Sequence, residues 1–247
     1  MGTLLLEGGA EFGGGMAAPD RRALQLAGGP DAPLAILPTA AAPDHNDRHA
    51  GGNGLRWFRS LGASRLDLVP VVDRQSADLP ELADRLRAAR LIYLLGGFPA
   101  YLAATLAGSR AWQAALESYA AGGVIGGSSA GAMVLCEHLY DPEAGRIVPG
   151  LGLLLNACLI PHHNTAGRAW ASRLAEALPD AALIGIDEQT GILNDLPGKW
   201  SVYGAGQVTI YARGAARSYS SGETFSLPGA SRPSSMGGPR AWRGDPA

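Results

Sequence analysis

Val124-Ile125-Gly126-Gly127-Ser128-Ser129-Ala130-Gly131-Ala132 is the stretch that decides how this chain is read. Two β-branched residues lead into Gly127-Ser128-Ser129-Ala130-Gly131, which fits G-x-S-x-G with Ser129 at its centre. An apolar helical pattern from Ala132 to Leu139 follows. Strand, sharp turn and helix form the context in which this motif lifts a serine hydroxyl above the carboxyl end of a sheet. The small flanking residues fit that purpose, because side chains there would clash in so tight a turn. The pattern predicts Ser129 as a nucleophile, with the Ala130 N–H at the helix start available to an oxyanion.

Working outward, short apolar runs alternate with helical patterns. Thr3–Leu6, Leu34–Leu37, Arg65–Val72, Leu91–Leu95 and Val124–Ile125 read as strands. Asp20–Ala27, Gly54–Leu61, Leu79–Ala89 with Asp78 as N-cap, Tyr101–Ala107 and Ala111–Tyr119 read as helices. Continuous apolar strands separated by helices predict an α/β fold: a mostly parallel sheet covered by helices on both faces. Further on, Leu155–Ile160 and Ala182–Ile186 are strands around a helix at Ala169–Leu178. Gly191–Leu193, Trp200–Tyr203 and Val208–Tyr211 then read as an antiparallel meander finishing the sheet. Residues 1–225 are expected to form one catalytic domain. The Gly-, Pro-, Ser- and Arg-rich residues 226–247 are expected to be a disordered tail.

Composition narrows the function. The 247 residues are 47% hydrophobic with a net charge of -2, which gives no field to draw nucleic acid or an anionic membrane. The first apolar run meets Glu7 too soon for a signal peptide, and no run is long enough to span a bilayer. A cytoplasmic protein is the expectation. Cys136 and Cys158 lie in apolar runs and read as buried free thiols. With no spaced His/Cys set for a metal, neither metal nor cofactor is expected.

A serine nucleophile needs a base, and the base needs a group to orient it. Of the five histidines, His45 and His49 fall in a polar loop. His138 would lie about 13 Å along the expected elbow helix, out of reach. His162 and His163 remain, just past the Leu155–Ile160 strand, where residues beyond strand carboxyl ends share one crevice. Asp187 and Glu188 end the next strand in the same way, and either could accept from the histidine. Serine, histidine, acid is not the chain order of an α/β-hydrolase, which runs serine, acid, histidine.

These residues resemble those of the S51 serine peptidases, the family of aspartyl dipeptidase (peptidase E) and cyanophycinase. Gly-Ser-Ser129-Ala-Gly-Ala is similar to the G-T-S-A-G-A elbow of that family. Gly8-Gly9-Ala10-Glu11, Ile36-Leu37-Pro38-Thr39-Ala40, Leu95-Gly96-Gly97 and Ile184–Glu188 with Thr190 resemble its other blocks, in order. The resemblance implies a class I glutamine-amidotransferase-like fold, a flavodoxin-like three-layer arrangement. It selects His162, preceded by Pro161 and followed by Gly167-Arg168, as the base, and Glu188 as the acid. It implies Gly97 as a second oxyanion donor beside Ala130, and it suggests a homodimer.

The implied activity is hydrolysis of a peptide or isopeptide bond in a short, Asp-containing peptide, without a cofactor. Phe98, His163, Arg168 and Asp187 are the implied substrate contacts, with Arg168 offered to an acidic acyl group. Two positions depart from the pattern: Phe98-Pro99 replaces polar residues of both branches of the family, and Pro161 replaces the polar residue that cyanophycinases carry before the histidine. They bear on the alternative of a cyanophycinase cleaving a β-Asp-Arg polymer, and they leave room for a non-catalytic binding protein that kept the fold. An amidotransferase-type glutaminase would carry cysteine at the elbow, where this chain has Ser129.

Overall fold

Leu4 and Leu6 face one apolar core and Leu5 the other, and the same division holds for Ile92 and Leu94 against Leu91 and Tyr93. Strands apolar at every position are thus buried on both faces, which requires a layer on each side. The structure, a computed structural model, describes residues 2–231. Five parallel strands form its centre: β1 (Thr3–Glu7), β2 (Leu34–Leu37), β3 (Leu66–Leu68), β4 (Leu91–Leu94) and β5 (Val124–Ser128). Their spatial order is β1-β5-β4-β2-β3. On one face lie α1 (Ala17–Ala27) and α2 (Asp47–Ser60), which bring Leu24 and Phe58 against Leu5 and Tyr93. On the other lie α3 (Arg74–Ala77), α4 (Pro80–Ala88), α5 (Pro99–Leu106) and α6 (Arg110–Ala120), in the core that holds Leu4 and Leu6.

The C-terminal third differs from a single finishing meander. Its antiparallel strands are shared between two sheets. β6 (Cys136–Asp141), β7 (Arg146–Pro149), β8 (Leu154–Ile160) and β9 (Ala182–Ile186) belong to a second sheet, completed by β12 (Gln207–Ala212) and β13 (Ala215–Ser220). β10 (Thr190–Leu196), β11 (Lys199–Gly204) and β14 (Thr224–Phe225) extend the first sheet beyond β1. The chain therefore crosses from one sheet to the other between β9 and β10, at residues 187–189, and returns at 205–206. Hydrogen bonds hold the crossing: Ala205 N–H to the Gln189 carbonyl at 2.9 Å and Gly206 N–H to Thr190 Oγ1 at 2.9 Å.

Three local expectations are corrected. The elbow helix is a single turn, α7 (Ala130–Met133), because the chain turns at Val134-Leu135 and enters β6 at Cys136, which pairs in parallel with β8. His138 consequently lies on a strand opposite Cys158. The expected Leu79–Ala89 helix forms as α4, but its N-cap is Leu79 and not Asp78, which accepts from the Arg110 N–H and from Arg74; the short α3 precedes it, capped by Asp73 with a capping box. The expected tail boundary at 226 also moves, since Ser231 bridges to Leu155 and Leu227 and Ala230 pack on the core. Residues 232–247, the rest of that expected tail, lie outside the described residues. Cys136 and Cys158 are free and buried, and burial pushes the Cys158 thiol up to about 12. Among the described residues, no helix is long and apolar enough to cross a membrane.

Candidate active site

Three successive carbonyls at the end of β1 gather the site. Glu7 accepts the Ser129 N–H at 3.0 Å, Gly8 the His162 N–H at 2.7 Å, and Gly9 the Gln189 N–H at 3.0 Å. Ser129 stands at the carboxyl end of β5, beside β1 in the first sheet. His162 and Glu188 follow β8 and β9 of the second sheet. The end of β1 thus fixes Ser129 of one sheet against His162 and Glu188 of the other.

The resulting geometry is a relay. Ser129 Oγ is 3.0 Å from His162 Nε2, and His162 Nδ1 is 2.8 Å from Glu188 Oε1. The same Glu188 oxygen accepts from Thr165 Oγ1 at 3.3 Å, and the Glu188 N–H donates to Asn164 Oδ1 at 2.9 Å. A carboxylate on Nδ1 fixes the tautomer that leaves Nε2 free to take the serine proton. His162 and Glu188 are only partly covered, so the relay opens to solvent.

Local strain concentrates here. Ser129 has φ 49° and ψ −115°, a conformation that L-residues rarely adopt. Ala10, Phe12, His162 and Gln189 also have positive φ, so five of the eight such non-glycine residues among those described surround the relay. The elbow glycines answer a packing demand. A β-carbon on Gly127 would fall 2.4 Å from the Gly131 carbonyl carbon, and one on Gly131 would fall 2.1 Å from the Leu94 carbonyl oxygen. Only a bare backbone lets α7 sit this close to β5 and β4.

Gly97 and Ala130 flank the serine. Gly97, at φ 138°, is pressed on Ala40, whose carbonyl also accepts the Phe98 N–H at 2.8 Å. Ala130 is the first residue of α7. Among the described residues, neither the Gly97 nor the Ala130 N–H is engaged by an acceptor, as an oxyanion site requires. Phe98 lines a cavity of about 380 Å³ that adjoins this turn, with Glu11, Phe12, Asp44, Asn46 and Asn53.

The other expected contacts lie apart from Ser129. His163 and Asp187 point to the opposite side from their neighbours His162 and Glu188. His163 is buried, with Nδ1 3.4 Å from Asp187 Oδ1 and Nε2 2.8 Å from the Tyr211 hydroxyl. Asp187 Oδ2 also accepts the Gln207 N–H at 2.9 Å. Both side chains are thereby engaged in tying β9 to β12, and burial holds His163 below its ordinary range despite Asp187. Arg168 lines a separate groove with Tyr211 and Arg213.

Glu11 is the residue that sequence reasoning passed over. Its carboxylate accepts the Ser128 hydroxyl at 2.9 Å and lies close to Gly96, next to Ser129 Cβ. The one available signal was its place in the Gly8-Gly9-Ala10-Glu11 block, which carried no role.

Comparison with known proteins agrees with this architecture. The profile of Peptidase family S51 matches residues 4–195. A cyanophycinase from Synechococcus elongatus is 31% identical over 202 residues, 75% of this chain and 60% of the relative. One from Geminocystis herdmanii is 29% identical over 212 residues, 81% of this chain and 76% of the relative. The chain thus spans about 60% of the length of the Synechococcus cyanophycinase. The crystal structure of a peptidase from an acI-B1 Actinobacterium superposes with a TM-score of 0.82 at 31% identity, covering 92% of this chain and 97% of that one. A putative peptidase E protein from Listeria monocytogenes EGD-e shares the fold, with a TM-score of 0.62 at 17% identity over 83% of this chain and all of its own.

Proposed function

Because this chain belongs to peptidase family S51, we propose that it is a serine hydrolase that cleaves a peptide or isopeptide bond in a short peptide through an acyl-enzyme on Ser129. The observation that carries this reading is the continuous relay from Ser129 Oγ through His162 to Glu188. Ser129 Oγ attacks the scissile carbonyl while its proton passes to His162 Nε2. Glu188 stabilises the imidazolium, and the N–H groups of Gly97 and Ala130 receive the oxyanion. Collapse of the tetrahedral species breaks the C–N bond, and the leaving amine takes the proton from His162. Water, activated by the same imidazole, attacks the ester, and Ser129 recovers its proton. A fluorophosphonate probe tests this directly. The native protein should be labelled and turn over peptide, and Ser129→Ala should do neither. Equal labelling of the variant would reject the assignment.

Charge in the cavity beside the nucleophile favours a second statement about substrate. Glu11 and Asp44 line it, and among its described lining residues there is no lysine or arginine. An acidic acyl group offered to Arg168 has no support from that cavity, whereas a cationic group would be complemented by it. We therefore extend the reading to substrates with a guanidinium or ammonium group next to the scissile bond. The β-Asp-Arg unit implied by the resemblance to cyanophycinases is one such substrate. Turnover of β-Asp-Arg against Asp-X and neutral dipeptides decides this, and a preference for uncharged or purely acidic dipeptides would overturn it.

A further inference from the structure

Two carboxyl groups lie in the apolar core directly behind the carbonyls that align the relay. Glu7 and Asp20 are both 0% exposed. Each has one well-satisfied oxygen: Glu7 Oε2 accepts from the Tyr93 hydroxyl, and Asp20 Oδ2 accepts from Trp57 Nε1 at 2.7 Å. The remaining oxygens, Glu7 Oε1 and Asp20 Oδ1, are buried with no hydrogen-bond partner. Two adjacent carboxylates cannot both stay charged in such a place. Burying an unpaired oxygen on each is also costly, unless a hydrogen lies between them.

We propose that Glu7 and Asp20 share one proton between Oε1 and Oδ1, and that this pair is a positioning device for the Ser129 turn. The proton accounts for both orphaned oxygens at once: one carboxyl donates, the other accepts, and the pair carries a single negative charge. The groups facing it are Tyr93 from β4, Trp57 from α2 and Glu11 from the loop after β1. From β10, Gly191 lies against the Glu7 side chain, and no titratable group of that strand acts on the pair. No cation is among them, so a second negative charge has nothing to offset it. The link to the site is short, because the Glu7 carbonyl takes the Ser129 N–H and the next two carbonyls take those of His162 and Gln189. Anchoring the Glu7 side chain therefore fixes the strand end from which all three relay segments hang. The positioning part rests on the reading of Ser129 as nucleophile, while the shared proton does not.

Burial is the main cause holding Glu7 well above the ordinary carboxylate range, and it pushes Asp20 up to about 7. The folded protein thus keeps a proton that the unfolded chain releases near pH 4. The Asp20 part of this stability is full below about pH 4 and is lost as pH rises through about 7, and Glu7, also raised by burial, adds a loss of the same sign.

The test uses the full chain with Glu7→Gln, Asp20→Asn and both together. Either single amide supplies the hydrogen that the shared proton supplies, so each should melt close to the parent at pH 6. The double variant sets two NH2 groups against each other and should melt lower than the two singles combined, by roughly 5 °C or more. From pH 6 to 9 the parent should lose melting temperature and fluorophosphonate labelling rate, and Glu7→Gln should lose neither. An infrared band from a protonated carboxyl at neutral pH should vanish in Glu7→Gln. An additive cycle, an unfolded Glu7→Gln, or parallel pH profiles for parent and Glu7→Gln would each overturn the proposal. A non-additive cycle with no labelling of any variant would uphold the shared proton, reject the positioning role and count against the hydrolase reading.

Discussion

Gly9 lies flat against the His162 imidazole: a β-carbon on Gly9 would sit 2.2 Å from Cε1 and within 3 Å of both ring nitrogens. The ring is held between this bare backbone and the Glu188 carboxylate, so its position relative to Ser129 is set by steric contact as well as by hydrogen bonds. Gly9 also has φ 110°, which resists a side chain independently of space.

Gly9→Ala should therefore displace the His162 ring while leaving the cores untouched. Misplacing a catalytic group by about 1 Å costs on the order of 10²-fold in rate. We expect a loss of that size in peptide turnover and in fluorophosphonate labelling, with a folded protein by circular dichroism. Unchanged labelling would show that the ring does not depend on this contact.

Glu188→Gln should be costlier. The amide can still meet His162 Nδ1, yet it offers an NH2 as readily as an oxygen and so no longer enforces the tautomer with Nε2 free. It also brings no charge to stabilise the imidazolium. The expected loss in kcat is roughly 10²–10⁴-fold, with KM little changed. Steady-state kinetics on the cleaved peptide would check it, and a loss confined to KM would argue for a binding role.

Much of this arrangement was legible from local pattern. The strand–turn–helix context singled out Ser129, and the two strand ends pointed to the histidine and acid pairs. Pattern alone could not choose within His162-His163 or Asp187-Glu188, because neighbours at a strand end point to opposite sides and nothing local says which side holds the serine. Only the family resemblance separated them. The second sheet was invisible for a related reason: β8 and β9 are as apolar as β4, and periodicity does not record which strands pair. Glu7 and Asp20 read as ordinary charged residues, since their burial depends on Tyr93 and Trp57, far away in sequence. Glu11 gave no signal beyond its place after Gly8-Gly9.

His163 supplies a pH test with the opposite sign to the Glu7–Asp20 pair. Burial holds its pKa below the ordinary histidine value, so the unfolded chain binds a proton that the folded protein resists. Its contribution is full above about pH 6.5 and is lost as pH falls below that value. His163→Gln, which cannot take up that proton, should flatten the acid side of a melting-temperature profile. It should leave the region above pH 7 unchanged and Ser129 labelling near the parent rate. A profile parallel to the parent below pH 6.5 would mean that His163 is not the group responsible.

Glu11 is where the substrate proposal can fail most clearly. Its carboxylate is held by the Ser128 hydroxyl at one oxygen, while the other faces Gly96 and the cavity that also holds Asp44. Glu11→Gln keeps the size of the side chain and the hydrogen bond from Ser128 and removes only charge. If a substrate cation is recognised here, kcat/KM for β-Asp-Arg should fall about tenfold or more, in line with the ~1.5–3 kcal/mol of a charge-assisted contact. The citrulline analogue, which lacks the positive charge, should be cleaved poorly by the parent and about equally by the variant. The labelling rate with an uncharged fluorophosphonate should not change, because the relay from Ser129 to Glu188 does not pass through Glu11. An equal loss on charged and uncharged substrates would instead place Glu11 in support of the Ser128-Ser129 turn and remove the electrostatic case for a cationic substrate.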